Sequence, residues 1–201
     1  YIMIPDSEQD AKFSGGSAAS GKQVIAQKIK NNNGITLYTQ ASIAPFASTH
    51  SDVFLLITSG SESASTSISI ERGAWQHISA CVNRRPGVNR IEMFVNGQLK
   101  KKSSQFDIQD FFFKDANLTI GKGENITQTG EIPPGGITFT NNFVGSIDDF
   151  RVFHSPRSES SIDKEKSRKV EPRKTLKLSL TFNEPTGSYP NQDVLLDHSG
   201  N

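Results

Sequence analysis

Apolar residues recur along this chain mostly with a period of two, in short runs separated by polar turns. The cleanest run is Leu176, Leu178, Leu180 and Phe182, alternating with Lys177, Ser179 and Thr181. Successive side chains of a strand point to opposite faces, so this spacing predicts a strand with one buried face. Residues 66–70 alternate in the same way, whereas residues 53–57, Val-Phe-Leu-Leu-Ile, have no polar member and predict a strand covered on both sides. Residues 24–29 and 35–38 flank the turn sequence Asn31-Asn32-Asn33-Gly34 and predict a hairpin. Ile78, Ala80 and Val82 share one strand face, which puts His77, Ser79 and Cys81 on the other. Asn96-Gly97 predicts a two-residue hairpin turn that sets Phe94 opposite Leu99, Glu92 opposite Lys101 and Met93 opposite Lys100. Residues 1–4 predict a further strand, ended by Pro5. Long amphipathic helices are not evident. The charged segment 156–175 predicts a short helix followed by a linker, with Ile162 as its one clear apolar anchor. The fold class that follows is all-β, a two-sheet antiparallel sandwich.

The strand predicted around residues 143–153 carries two adjacent acids. Val144, Phe150, Val152 and Phe153 fit a half-buried pleated surface, and Gly145 permits a bend before the acids. Asp148 and Asp149 cannot both face solvent unless a bulge intervenes, so one of them needs a partner. The run Gly145-Ser146-Ile147-Asp148-Asp149-Phe150-Arg151-Val152 resembles the closing strand of laminin G-like, concanavalin A-like jelly-roll modules. Trp75-Gln76-His77-Ile78, the hairpin over residues 91–99 and Leu118-Thr119-Ile120-Gly121 are similar to earlier strands of that family, in the family's order. The resemblance covers most of residues 1–155 and implies a concanavalin A-like jelly roll whose first strand is missing. Residues 182–187 and 195–201 resemble the opening of another such module. Residues 176–201 are therefore expected either to begin the next copy of a tandem array, the arrangement favoured for the gene, or to fold back as a strand of this domain. A chain that starts at Tyr1 inside a strand has the look of a fragment or processed product.

Composition narrows the function classes. A chain of 201 residues supports one sizeable core, and a formal net charge of +1 gives no general attraction to nucleic acid or an acidic membrane. No apolar run approaches the roughly 20 residues needed to cross a bilayer. Cys81 is the only cysteine, which rules out an intrachain disulfide and suggests a small buried hydrophobe. The resemblance implies an extracellular, cell-surface or virion-surface setting.

The family often carries calcium, and hard oxygen donors would suit that ion. Asp148, Asp197 and Asn201 match the motif positions concerned, with Asp149 as an alternative; the competing role for Asp148 and Asp197 is turn capping. Trp75 and His77 form one possible ligand-contacting pair, against the favoured alternative that Trp75 caps the core and His77 bonds backbone. Arg84 and Arg85, with Lys100-Lys101-Lys102, could hold an anionic glycan or phosphate; a lysine-rich edge that discourages strand addition is the favoured reading. Phe111-Phe112-Phe113, the Gly- and Thr-rich loop around Pro133-Pro134-Gly135-Gly136, and the Asn-x-Thr sequences at Asn117 and Asn125 complete the candidates.

Enzyme chemistry has little support. Retaining glycosidases need two carboxylates about 5 Å apart, and the related glucanases place them on a Glu-x-Asp-x-x-Glu strand. Glu8-Gln9-Asp10 has only the first part, with Phe13 where the second glutamate would stand. The four histidines show no zinc spacing, and no phosphate-binding glycine loop is present. The expected function is a noncatalytic recognition or adhesion module whose partners are a glycan or surface protein and neighbouring repeat modules. A structural decoration or spacer domain of a virion or cell-surface appendage is the alternative. Nucleic acid and membrane insertion are not expected.

Overall fold

The computed structural model describes residues 1–6, 21–41, 48–60, 62–108, 114–127, 136–139, 141–183 and 196–200. The larger sheet is an antiparallel meander of β2 (Gln23–Lys30), β3 (Asn33–Ala41), β4 (His50–Ser59) and β5 (Glu62–Glu71). Two short strands share the far side of β2: β9 (Leu118–Ile120) runs antiparallel to it and β10 (Asn141–Asn142) parallel. The facing layer contains β6 (Ile78–Asn83), β7 (Arg90–Val95) and β8 (Gln98–Lys102). It also contains β1 (Ile2–Met3), which pairs with β11 (Ser146–Ile147) and bridges Gln76 just ahead of β6. Finally β12 (Phe150–Phe153) pairs with β13 (Leu176–Leu180), with the helix α1 (Glu159–Glu165) between them in sequence.

The alternation read from the sequence sorts the described side chains into three apolar clusters. Ile25, Val53, Leu55, Ile57, Ile68 and Ile70 meet Ile91, Met93 and Val95 between the layers, with Ile2 and Ile4 closing one end. Phe54 and Leu56 point the other way, into a cluster with Tyr38, Ile126, Ile137 and Phe139, so both faces of β4 are covered as expected. Tyr38 stacks on Phe54 at 4.8 Å and meets Phe139 edge-on at 5.5 Å. Ile78, Ala80 and Val82 pack inward. On the outer face of that layer Cys81, Phe94 and Leu99 lie under Ile162, the only buried residue of α1. Ser158 caps that helix by accepting from the Ser161 N–H at 3.3 Å.

Two registers differ from expectation. Phe94 does face Leu99, but a bulge between Met93 and Phe94 pairs Met93 with Lys101 and Glu92 with Lys102, leaving Lys100 as the extra residue. Glu92 and Lys102 then form an ion pair at 3.5 Å. The final strand also stops short: it ends at Leu180, and Phe182 has φ +53° and is 37% exposed rather than continuing the buried stripe. Otherwise residues 176–180 fold back within this chain, Phe150 opposite Leu180 and Val152 opposite Leu178. Phe111 to Phe113, Glu8, Asp10, Phe13 and residues 133–135 lie outside the described residues.

Candidate functional site

The loop after β5 is braced by β1. Arg72 donates through Nε to the Pro5 carbonyl at 2.7 Å, and Gly73 N–H donates to the Ile4 carbonyl at 2.7 Å. Gln76 and Ile2 exchange both backbone bonds at 2.9 Å. Between these fixed points Trp75 is 50% exposed, so it does not cap the core. The backbone on either side of it is already spent on β1, and the indole is left facing water.

His77 follows two residues later and is half-buried. Its backbone N–H donates to Asn96 Oδ1 at 2.9 Å, and the Asn96 N–H returns a bond to the His77 carbonyl at 2.8 Å. The ring itself makes no backbone bond: Nδ1 is buried without a partner among the described residues, and the ring meets Tyr1 edge-on at 5.2 Å. Burial, then the Tyr1 amino group, Arg151 and Lys166, pull its pKa down to about 4.

Arg84 and Arg85 do not join this pair. They lie beyond the other end of β6, about 20 Å away at the usual rise per strand residue. Arg84 Nη2 donates to the Ile108 carbonyl at 2.8 Å, and the Arg85 carbonyl accepts from Val88 N–H at 2.9 Å within a turn.

The two adjacent acids take different roles because Asp149 has φ +53° and breaks the strand alternation. Asp148 is exposed and is held through its backbone, its N–H donating to the Tyr1 carbonyl at 3.0 Å. Asp149 takes two bonds from Arg151, Nε to Oδ1 at 2.7 Å and Nη2 to Oδ2. The same guanidinium donates to the carbonyls of Glu165 and Arg168 at 2.8 Å each, and Tyr1 Oη donates to the Lys166 carbonyl at 2.7 Å. Arg151 thus ties the end of α1 to β12, donating to carbonyls at and just beyond the end of the helix. Arg157 and Arg173 both donate to Glu165 Oε2 at 2.5 Å and sit over the Phe153 ring at 4.7 and 5.4 Å. Burial alone would raise the Glu165 pKa, but the two guanidinium groups outweigh it and lower it. Sequence reasoning missed this clasp, although Asp149 and Arg151 stand at the two-residue spacing of one strand face.

Asp197 is a turn clamp. Its Oδ1 accepts from the N–H groups of Ser179 at 2.9 Å and Ser199 at 2.8 Å, and Oδ2 accepts from Ser199 Oγ at 2.9 Å. Desolvation works against ionisation, yet these bonds together hold its pKa below the ordinary aspartate value. Leu180 pairs with Phe150 on one side and bridges Asp197 on the other, so β13 separates Asp197 from β12, while Asp148 sits beside Tyr1. Among the described residues no three acidic, imidazole or thiol groups gather in a form that could hold a metal ion. The third member of the expected calcium set, Asn201, lies outside the described residues. The described pair, Asp148 and Asp197, does not form a calcium cage.

A family model described as the concanavalin A-like lectin/glucanases superfamily matches residues 16–163. Among solved structures the chain is similar to an S-layer domain-containing protein (residues 221–444) from Clostridium thermocellum, with 18% identity and a TM-score of 0.37. That match covers 72% of this chain and 62% of the other. No curated protein matches significantly. Among the described residues no helix is long and apolar enough to cross a membrane.

Proposed function

The chain belongs to the concanavalin A-like lectin/glucanases superfamily, and from that premise we propose that it is a noncatalytic recognition module of a larger surface-exposed protein, binding glycan at the end of the sandwich that carries Trp75. The observation that carries this reading is the half-exposed indole held between residues pinned to β1. A flat aromatic face fixed to a rigid scaffold is a stacking surface for the apolar face of a sugar ring. His77, neutral at physiological pH because of its burial, lies two residues away and adds no charge to the site. Binding is favoured over turnover because Asp149, the acid next to exposed Asp148, is committed to Arg151.

A second reading, assembly with neighbouring modules as a structural spacer, draws on Phe182 (37% exposed) and Leu196 (50% exposed), which flank the bridge between Leu180 and Asp197. Exposed apolar side chains at the end of the last strand suit packing against an adjoining domain.

A glycan array probed with the full chain, with and without chelator, separates the two. The recognition reading expects binding that Trp75→Ala abolishes while leaving the melting temperature unchanged. Chelator-sensitive binding would add calcium to the site. An array without signal, together with concentration-dependent assembly in sedimentation, would overturn recognition in favour of the spacer role.

A further inference from the structure

At the opposite end of the larger sheet, the turn between β2 and β3 and the segment 124–127 enclose an open polar depression lined by Ile29, Asn31, Asn32, Glu124, Asn125 and Thr127. We propose that this depression is a second glycan subsite, one that takes a neutral hexose unit through a pair of adjacent hydroxyls. The inference rests on the recognition reading above.

The depression is built rather than incidental. Asn31 and Asn32 adopt φ +50° and +60°, the left-handed pair that a two-residue hairpin turn demands. Asn32 then locks the turn to the neighbouring segment: its Nδ2 donates to the Thr127 carbonyl at 2.7 Å, and its Oδ1 accepts from Thr127 N–H at 3.3 Å. A second amide repeats the device five residues earlier, on β2. Gln27 Nε2 donates to the Glu124 carbonyl at 3.1 Å, and its Oε1 accepts from Glu124 N–H at 2.7 Å. Gln27 is itself buried and also bonds Thr36 Oγ1 at 3.1 Å, so the lock is anchored in the sheet. Asn125 Oδ1 accepts from Phe139 N–H at 2.8 Å, which fixes its amide and directs Nδ2 away from that bond. Reciprocal amide–backbone pairs of this kind order a loop before any ligand arrives, which lowers the entropic cost of binding.

The groups left over define the ligand. The Glu124 carboxylate and the Asn31 amide are exposed and make no bond with any described residue, and Asn125 Nδ2 is likewise uncommitted. A carboxylate accepts two hydroxyl protons side by side, while amide N–H groups donate to the same hydroxyl oxygens; together they match a vicinal diol. Among the described residues no lysine or arginine lines the depression, so phosphate, sulfate and carboxylate ligands find no counter-charge in that lining. Among the described lining residues Ile29 is the one apolar side chain, enough to meet a ring edge. Gly60 N–H donates to Asn33 Oδ1 at 2.6 Å, placing this end of the sheet at the start of β5, whereas Trp75 follows its end. Ten strand residues separate the two sites by about 30 Å.

The test uses the full chain made in a host without N-glycosylation, because Asn125 opens an Asn-x-Thr sequence. Glucose, galactose and mannose, and then any glycan found on the array, are titrated while backbone and side-chain amide resonances are followed. The expected result is a saturable shift of Asn31, Glu124, Asn125 and Thr127, with Glu124→Ala weakening binding about tenfold or more at an unchanged melting temperature, and Trp75→Ala leaving these shifts intact. Glycan-induced shifts confined to the surroundings of Trp75 would overturn the subsite and leave the recognition reading standing. An absence of shifts and of array binding together would overturn both.

Discussion

Replacing Ile162 with alanine tests how far the hold of α1 on the sandwich depends on its one buried side chain. Ile162 is 6% exposed and packs on Cys81, Phe94 and Leu99, and it is the only buried residue of the helix. The change removes three carbons, about 2.4 kcal/mol at roughly 0.8 kcal/mol per buried methylene, and residual cavity adds to that. Isoleucine-to-alanine changes in cores cost about 2–5 kcal/mol. A helix laid on a surface can settle into the space, so about 2–3 kcal/mol is expected. The assay exploits Cys81, the only thiol, buried beneath Ile162 and with its pKa pushed up by that burial. Reaction with an aromatic disulfide reagent at fixed pH reports how often α1 lifts, and urea unfolding reports global stability. If lifting is local, labelling should quicken roughly 30- to 150-fold, the equivalent of 2–3 kcal/mol at tenfold per 1.4 kcal/mol. Glu165→Gln, which weakens the Arg157–Glu165–Arg173 clasp, should quicken it less, because Ile162 stays seated. An unchanged midpoint and labelling rate in Ile162→Ala would refute the reasoning outright. So would labelling that tracks denaturant exactly as global unfolding does, since Cys81 would then be uncovered only when the whole sandwich opens.

Three further outcomes follow from the same packing. Gly97→Ala combines φ +86° with a Cβ that would stand 2.9 Å from Asp163 Cα, so α1 must shift, whereas Gly87→Ala, at φ +75° with nothing within 4 Å, bears backbone strain alone; melts should show Gly97→Ala worse by about 1–3 kcal/mol, and equal costs would mean that α1 does not press on the turn. His77 has a folded pKa of about 4 against 6.5 unfolded, so its neutral form stabilises the fold above pH 6.5 and that contribution is lost as pH falls from 6.5 to 4. The shift corresponds to at most about 3 kcal/mol, and solvent around a half-buried ring reduces this to about 1–2; urea titrations should show this slope in the native chain and a flatter profile in His77→Leu. Asp197→Ala should cost about 1–2 kcal/mol by urea unfolding, while Asp197→Asn retains an oxygen for the Ser179 and Ser199 N–H groups and should cost less; equal losses in both, matched by chelator in the native chain, would instead assign Asp197 to a cation.

Much of the fold was legible because strand alternation and turn chemistry are local. The pattern at residues 53–57 implied two covered faces, and the structure supplies two separate clusters for them. Ile162 stood alone in a charged segment and became its anchor for that reason. The limits are local too. Counting outward from Asn96-Gly97 placed Phe94 opposite Leu99 correctly, but nothing in three consecutive lysines marks which one is extra, and the bulge displaced every pair beyond it. The stripe of Leu176, Leu178, Leu180 and Phe182 likewise predicted the strand but not its end, because the turn is set by Asp197 reaching back to Ser179 from 18 residues away.

The candidate site was harder to read because residue type announces chemistry while backbone conformation decides which groups are free to perform it. Asp148 and Asp149 look equivalent in sequence. A single positive φ gives Asp149 to Arg151 and leaves Asp148 exposed, so two adjacent carboxylates stand in different surroundings. Trp75 has the composition of a core residue, yet β1 takes up the backbone on both sides of it and leaves the ring in water. The depression near Glu124 shows the converse. Asn31, Asn32 and Gln27 carry no catalytic or metal signature, but two reciprocal amide locks turn an ordinary hairpin into a shaped polar surface. What the loops of this chain can offer a ligand therefore depends less on conspicuous side chains than on which polar groups remain unspent once the sandwich has satisfied its own loops.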